Sequence, residues 1–281
     1  VIMVNLVTVV GANTHLLPHM LKYYEKFVDK IYVGVYIQDE NDGILNQVLD
    51  CGVEPFLVIK DSKYNWDKVT EAYNAIKTTK PNDWWVVADD DEFHAYPYDI
   101  ENIIKDCEKY ECTFVTGGFL DRIGEGGVFP KVTRDTNIFE AFPLAGYFRY
   151  PMSGACPNKV TLCKGSQKIT SGQHYALFDN GRNSWGRYHP KKMPVEVAFT
   201  QVHHFKWDSS CVERTKDVSE TKEEYTYWEE YKKLYDSIVE NNFKIDVDNP
   251  DFYIERLKQS SYIDYNDYSQ WKILRDKIVK I

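Results

Sequence analysis

Through the first 120 residues, apolar runs alternate with stripes of helical spacing. Leu6 to Val10 reads as a strand buried on both faces. From about Pro18, a residue suited to a first helical turn, Leu21, Tyr24, Phe27 and Val28 recur at helical intervals. Ile31 to Ile37 is a second strand, ending in the polar loop Gln38 to Gly43, and Val53 to Ile59 is a third. Asn65 can cap a helix whose apolar face carries Trp66, Val69, Tyr73 and Ile76. Trp84 to Ala88 is a fourth strand and runs straight into acidic residues. Ile100, Ile103, Ile104 and Cys107 mark another helix, and Thr113 to Phe119 another strand. Strands alternating with helices at this spacing predict an α/β fold, with a mainly parallel central sheet flanked by helices. Ligands of such sheets sit at the carboxyl ends of strands.

The pattern then changes. Residues 121 to 210 are rich in Gly, Pro and aromatics, with short strand-like pieces at Lys159 to Leu162 and Val195 to Phe205. From about Thr221 the chain becomes charged and tyrosine-rich; Thr221 and Glu224 could form a capping box, and Trp228, Tyr231, Tyr235 and Ile238 a docking stripe. The expected organisation is one large domain over residues 1–215, in halves 1–120 and 121–215, with a helical C-terminal extension over 216–281.

Of the 281 residues, 43% are hydrophobic, enough for a sizeable core, and the net charge of −9 disfavours nucleic acid and anionic membranes as partners. An anionic ligand would need local cations: a metal, Lys or Arg. The six cysteines form no CxxC pair and are expected to be reduced thiols. No apolar run reaches the ~18 residues of a transmembrane segment, and the opening residues do not resemble a signal peptide. A soluble, cytoplasmic protein is the expectation.

The segment Asp83-Trp84-Trp85-Val86-Val87-Ala88-Asp89-Asp90-Asp91-Glu92-Phe93 carries most of the chemistry. Three consecutive aspartates at the tip of an apolar strand repel one another unless a cation compensates them. Carboxylate oxygens suit Mg²⁺ or Mn²⁺, ions that also bridge diphosphates. In extended chain, Asp89 and Asp91 point one way and Asp90 the other.

Asp-x-Asp-Glu-Phe after Trp-Trp-Val-Val resembles the DxD motif of GT-A fold glycosyltransferases, the nucleotide-diphospho-sugar transferases, particularly family 2-like and family 92-like members. The similarity continues at Gly118-Phe119-Leu120-Asp121-Arg122, Phe139-Glu140-Ala141-Phe142-Pro143-Leu144, Lys159-Val160-Thr161-Leu162, Ser171-Gly172-Gln173-His174 and His204-Phe205, covering roughly residues 4 to 216.

The resemblance implies that Asp91 coordinates the metal and that Asp89 contacts the donor ribose, the metal or both, with Asp90 beside them. A downstream histidine commonly completes such a shell, for which His204 and then His174 are candidates. Imidazole beside carboxylate would favour Mn²⁺ over Mg²⁺. Arg122 and Lys206 are candidates for donor phosphates, and Thr8, Asp39 and Lys68 for the nucleobase and ribose. An inverting transfer needs a base for the acceptor hydroxyl. Asp121, followed by the mobile-looking Gly124 to Gly127, is the first candidate, with Glu125 and Asp208 as alternatives. Trp185 and Tyr188 could stack on sugars, whereas Trp207 suits a core.

The expected activity is transfer of a hexose or pentose from a nucleotide-sugar donor, UDP-linked, to a hydroxyl of a glycan or glycoconjugate acceptor. A non-catalytic nucleotide-sugar or glycan-binding module of the same fold is the alternative. A nucleotidyltransferase is disfavoured, because no Gly-rich, Lys-bearing loop opens the chain.

Overall fold

The computed structural model describes residues 2–146, 156–185, 187–222, 225 and 227–247. In chain order the elements are β1 (Val4–Val10), α1 (Leu17–Tyr24), β2 (Lys30–Ile37), α2 (Ile44–Asp50), β3 (Leu57–Lys60), α3 (Trp66–Thr78), β4 (Trp84–Val87) and β5 (Glu92–Ala95). They continue with α4 (Ile100–Lys109), β6 (Phe114–Ile123), α5 (Ile138–Ala141), β7 (Leu144–Gly146), β8 (Asn158–Lys164), β9 (Thr200–His204), α6 (Ser209–Thr221) and α7 (Trp228–Glu240). The fold is mixed α/β. The described strands follow the order β3-β2-β1-β4-β8-β6-β9-β5, and β7 also pairs with β6.

The run β3-β2-β1-β4 pairs in parallel. Beyond β4 the pairs β4–β8, β6–β8 and β6–β7 are antiparallel. The parallel strands β1 and β4 are buried at every position, as strands covered on both faces require.

The contacts gather the described residues into two compact units. One is drawn from residues 2–118 and 158–202, the other from residues 119–146, 156–157 and the described part of 203–247. In the first, α3 lays Ala72, Tyr73 and Ile76 on Val7 and Val9 of β1, Tyr32 and Tyr36 of β2, and Trp85 and Val87 of β4. Each valine or isoleucine among these, fully buried, contributes about 1.5–3 kcal/mol. Asn65 caps α3, its side chain accepting from the amides of Asp67 and Lys68. A Cβ at Gly117 would come within 2.4 Å of the Thr200 carbonyl oxygen, so glycine is what lets β9 lie against β6. In the second unit, α6 and α7 pack together over Ile123, Trp207, Cys211, Leu234, Ile238 and Ile245.

Several elements differ from expectation. Helix α1 stops at Tyr24, and the amides of Phe27 and Val28 both close on the Tyr24 carbonyl in a final turn. Strand β3 begins only at Leu57, because Pro55 has no N–H for a ladder. Val195 to Phe199 forms no strand: it opens in a turn, the Val197 amide bonding back to the Pro194 carbonyl. Thr221 ends α6, its hydroxyl donating to the Asp217 carbonyl, so it opens no helix; Glu224, its expected partner, lies outside the described residues. So does the expected extension beyond 247. The six cysteines are thiols, and among the described residues no helix is long and apolar enough to cross a membrane.

Candidate metal centre and a buried aspartate–histidine pair

Strand β4 runs parallel to β1, so the acidic turn sits at the carboxyl end of the parallel strands. After Val87 the chain turns through Asp89 to Asp91 and re-enters the sheet as β5, the Glu92 amide closing on the Asp89 carbonyl at 3.0 Å. One carboxylate oxygen each from Asp89, Asp91 and Glu92 lie within 4.8 Å of one another. Three hard oxygen donors so gathered can hold a divalent cation. Glu92 was overlooked as a member; Asp90 is not in the group.

Asp89 and Asp91 are half-buried, whereas Glu92 is fully buried beneath them. The reason Glu92 tolerates burial is Lys159 of β8, 1% exposed, whose Nζ lies 2.7 Å from Glu92 Oε1 and 3.5 Å from Asp89 Oδ2. Lys159 also donates to the Gly172 carbonyl and to Gln173 Oε1, each at 2.7 Å. Two segments of the sequence resemblance, Lys159 to Leu162 and Ser171 to His174, therefore meet around one ammonium group. Read as an ordinary strand residue, Lys159 gave no local sign of this.

The turn is fixed from a third side by Tyr73 of α3. Its hydroxyl accepts from the Val9 amide at 3.2 Å and donates to Asp89 Oδ1 at 2.7 Å. Burial pushes the Asp89 carboxyl up to about 6, with Glu92 and Asp91 adding to the rise while Lys159 and the Tyr73 hydrogen bond oppose it. A carboxylate held uncomfortably in this way is a favourable site for a cation. His94, whose Nε2 is 3.9 Å from Glu92 Oε2, is kept neutral, its imidazole pushed down to about 3 mainly by burial.

The histidines expected to join the metal are not in this carboxylate group. His174 sits on the far end of the Ser171 segment, its Nδ1 2.8 Å from the Asn158 carbonyl and its Nε2 packed where a Cβ on Gly172 would fall. His204 belongs to the second unit, where its Nδ1 is 2.8 Å from Asp121 Oδ1. Trp207 Nε1 donates to the same oxygen at 2.8 Å, and the His204 ring stacks on Phe119 with centroids 4.4 Å apart. Alternation along the strands separates the neighbouring pair: Arg122 Nη1 is 3.1 Å from His203 Nδ1.

The remaining candidates are held as follows. Arg122 is buried, donates to the Phe142 carbonyl through Nε and Nη2, and packs over Phe205; burial lowers its guanidinium to about 10. Thr8 lies within β1, wholly buried, rather than after it, because the strand runs on to Val10. Asp39 is exposed and accepts from the Asn41 amide. Lys68 pairs with Asp61 at 2.7 Å. Lys206 lies over the rings of Trp207 and Tyr231. Glu125 is exposed in a 3-10 turn, and Asp208 caps α6 by accepting from the Cys211 amide. The glycine loop is pinned: the Ile245 amide donates to the Gly127 carbonyl, and a Cβ on Gly127 would come within 2.0 Å of the Ile245 carbonyl oxygen. Trp185 is exposed and Trp207 buried, as expected, and Tyr188 is exposed too.

No family model matches the chain, and no curated protein does. Among solved structures it is similar to a 4-diphosphocytidyl-2C-methyl-D-erythritol synthase at 11% identity, over 59% of this chain and 76% of that one, with a TM-score of 0.31. Similarity to S. aureus TarS is at 8% identity, over 59% of this chain but only 29% of the TarS chain, with a TM-score of 0.30. Against S. aureus TarS 1–349 it spans 100% of this chain and 81% of that one at 10% identity, with a TM-score of 0.32. Likeness this slight says nothing about activity.

Proposed function

We propose that this chain is a divalent-metal-dependent glycosyltransferase of the family 2-like or family 92-like kind that its DxD-type segment resembles. It moves a sugar from a nucleotide-sugar, UDP-linked, to a hydroxyl of a glycan or glycoconjugate, with inversion. The observation that carries this reading is the gathering of carboxylates in the acidic turn. Oxygens of Asp89, Asp91 and Glu92 lie within 4.8 Å of one another at the carboxyl end of the parallel strands, with Lys159 paired to Asp89 and Glu92.

An oxygen-only donor set fits Mg²⁺ and Mn²⁺ alike. Asp89 and Asp91 are the residues that would hold the ion, and Glu92, tied to Lys159, orients them from below. When bound, such an ion stabilises the negative charge that grows on a departing nucleoside diphosphate. The protein's own part is to fix the carboxylates through Lys159 and Tyr73, to bind the donor, and to remove the proton of the acceptor hydroxyl at the Asp121 centre. His204 and His174 keep their candidacy as further ligands, and Arg122, Lys206, Thr8, Asp39, Lys68 and Asp90 theirs as donor contacts.

The test is thermal melting with a panel of nucleotide-sugars, with and without Mn²⁺, followed by donor hydrolysis and transfer on those that stabilise. A true donor raises Tm by mass action, and more so with the ion. If no nucleotide-sugar or nucleoside diphosphate shifts Tm in the presence of Mn²⁺, the reading is wrong. A Mn²⁺-dependent shift without any hydrolysis or transfer would instead leave a binding module.

A further inference from the structure

Lys159 is surrounded by more acceptors than it has hydrogens to give. An ammonium carries three. Around its Nζ lie Glu92 Oε1, the Gly172 carbonyl and Gln173 Oε1, each at 2.7 Å, and Asp89 Oδ2 at 3.5 Å. The first three distances are those of full hydrogen bonds, and the fourth is at the outer limit. Of these four acceptors Asp89 goes short, and Gln173 is one of those that keep it so. All of these groups belong to the first unit.

The backbone at Gln173 is held where glutamine rarely goes. Its φ is +55°, in the left-handed region, directly after Gly172 at +65°. A non-glycine residue there costs energy and persists where its surroundings over-determine it. Here the Gln173 amide donates to the Thr170 carbonyl at 3.0 Å. The Asn74 side chain of α3 donates to the Ile169 carbonyl and accepts from the Ile169 amide, both at 3.0 Å, and Thr70 Oγ1 lies 3.3 Å from Ser171 Oγ. The turn is thus fastened to α3 and delivers one backbone carbonyl and one side-chain oxygen to Lys159. A glutamine takes its hydrogen there without adding another negative charge beside Asp89, Asp91 and Glu92.

We propose that Gln173 is a positioning residue of the metal centre: by accepting a hydrogen from Lys159 it withholds the ammonium from Asp89, and so leaves Asp89 able to bind a divalent cation. The inference rests on the metal-dependent reading above and deepens it. Without the side-chain oxygen, one hydrogen of Lys159 needs a new acceptor, and Asp89 is next in line among the described ones. The ammonium then competes with the ion for that carboxylate. A carboxylate in place of the amide has the opposite effect, drawing the ammonium away from Asp89 and adding to the attraction for the ion.

The test is titration of the full chain with Mn²⁺, followed by electron paramagnetic resonance of the unbound ion, which needs neither nucleotide nor turnover. Gln173→Met removes the acceptor at nearly constant length, with the backbone still left-handed. It should weaken Mn²⁺ binding by about tenfold or more. Gln173→Glu keeps the acceptor and charges it, and should tighten binding several-fold. Gln173→Gly relieves the backbone while lacking the oxygen; it should bind as weakly as Gln173→Met and stands in for it should that variant melt early.

Wild-type affinity in the variants that lack the oxygen would overturn the proposal. So would equal losses in Gln173→Met and Gln173→Glu, which would make Gln173 a packing residue only. A wild type that binds Mn²⁺ no better than Asp91→Ala would bring down the metal centre itself, and the positioning role with it.

Discussion

The two acidic groups of this molecule are built in opposite styles. At the end of β4, three carboxylates of one short turn gather within 4.8 Å, Lys159 pairing with Asp89 and Glu92, and Asp89 is pushed up to about 6 by burial and its acidic neighbours. Asp121, by contrast, is met by the ring nitrogens of His204 and Trp207, both at the same carboxylate oxygen. The first group crowds acids together; the second ties one acid between rings. What surrounds each carboxylate, residue by residue, thus separates two sites that look alike in composition.

The contrast can be attacked from its strongest side first. Asp91→Ala removes an ion ligand without touching the Lys159 pair, so transfer should fall by about 1,000-fold or more, with loss of Mn²⁺-dependent donor binding and little change in metal-free Tm. Full activity in this variant would dismiss the acidic turn as the ion site. Lys159→Met leaves Glu92 buried beside no cation, which should destabilise the protein by about 3–5 kcal/mol in urea titration. Adding Glu92→Gln should restore more than half of that loss; an unchanged midpoint in the double variant would mean that the pair is not coupled.

Asp89→Asn tests the sign of the burial effect. A carboxyl whose folded value lies above its ordinary value, here about 6 against 3.8, binds its proton more tightly in the folded state. The metal-free protein therefore loses stability from this group as pH rises from about 4 to about 6, and does not recover it above. His94, pushed down to about 3, acts in the opposite sense, adding stability as pH rises towards 6.5. Comparing variant with wild type isolates Asp89: at pH 7 without metal the asparagine form should melt higher. The half-exposed side chain is partly screened, and relief of ~1 kcal/mol raises Tm by about 2–4 °C in a chain of this size. With excess Mn²⁺ the order should reverse. A lower metal-free Tm for the variant would show that Lys159, not burial, dominates at Asp89. The smallest effect belongs to Asp208→Ala, which removes the α6 cap and should lower stability by ~1 kcal/mol with kcat unaltered. A large kcat loss there would restore Asp208 as a base.

Much of the first unit was legible because its signals are local. Apolar runs mark β1, β2 and β4, and Asn65 announces α3 at the residue where that helix starts. The acidic turn could be read because a costly cluster follows directly on a buried strand. Elements with polar residues in their buried face escaped. Strand β5 hides Glu92 and His94, and α6 buries Cys211, Thr215 and Val218 in a segment of weak helix formers. Lys159 and His204 were hardest, since their partners come from 67 and 83 residues away and no periodicity records such pairings.

The ammonium beneath the acidic turn has a consequence for how the site would live between reactions. A cluster that needed its ion to keep shape would collapse on chelation, as structural metal sites do. Here Lys159 already pairs with Asp89 and Glu92 from within the fold, so on the proposed reading the ion would be a visitor, arriving with one nucleotide and departing with the next. Dialysis against EDTA should then silence the protein without unfolding it, and manganese should revive it within the time of mixing.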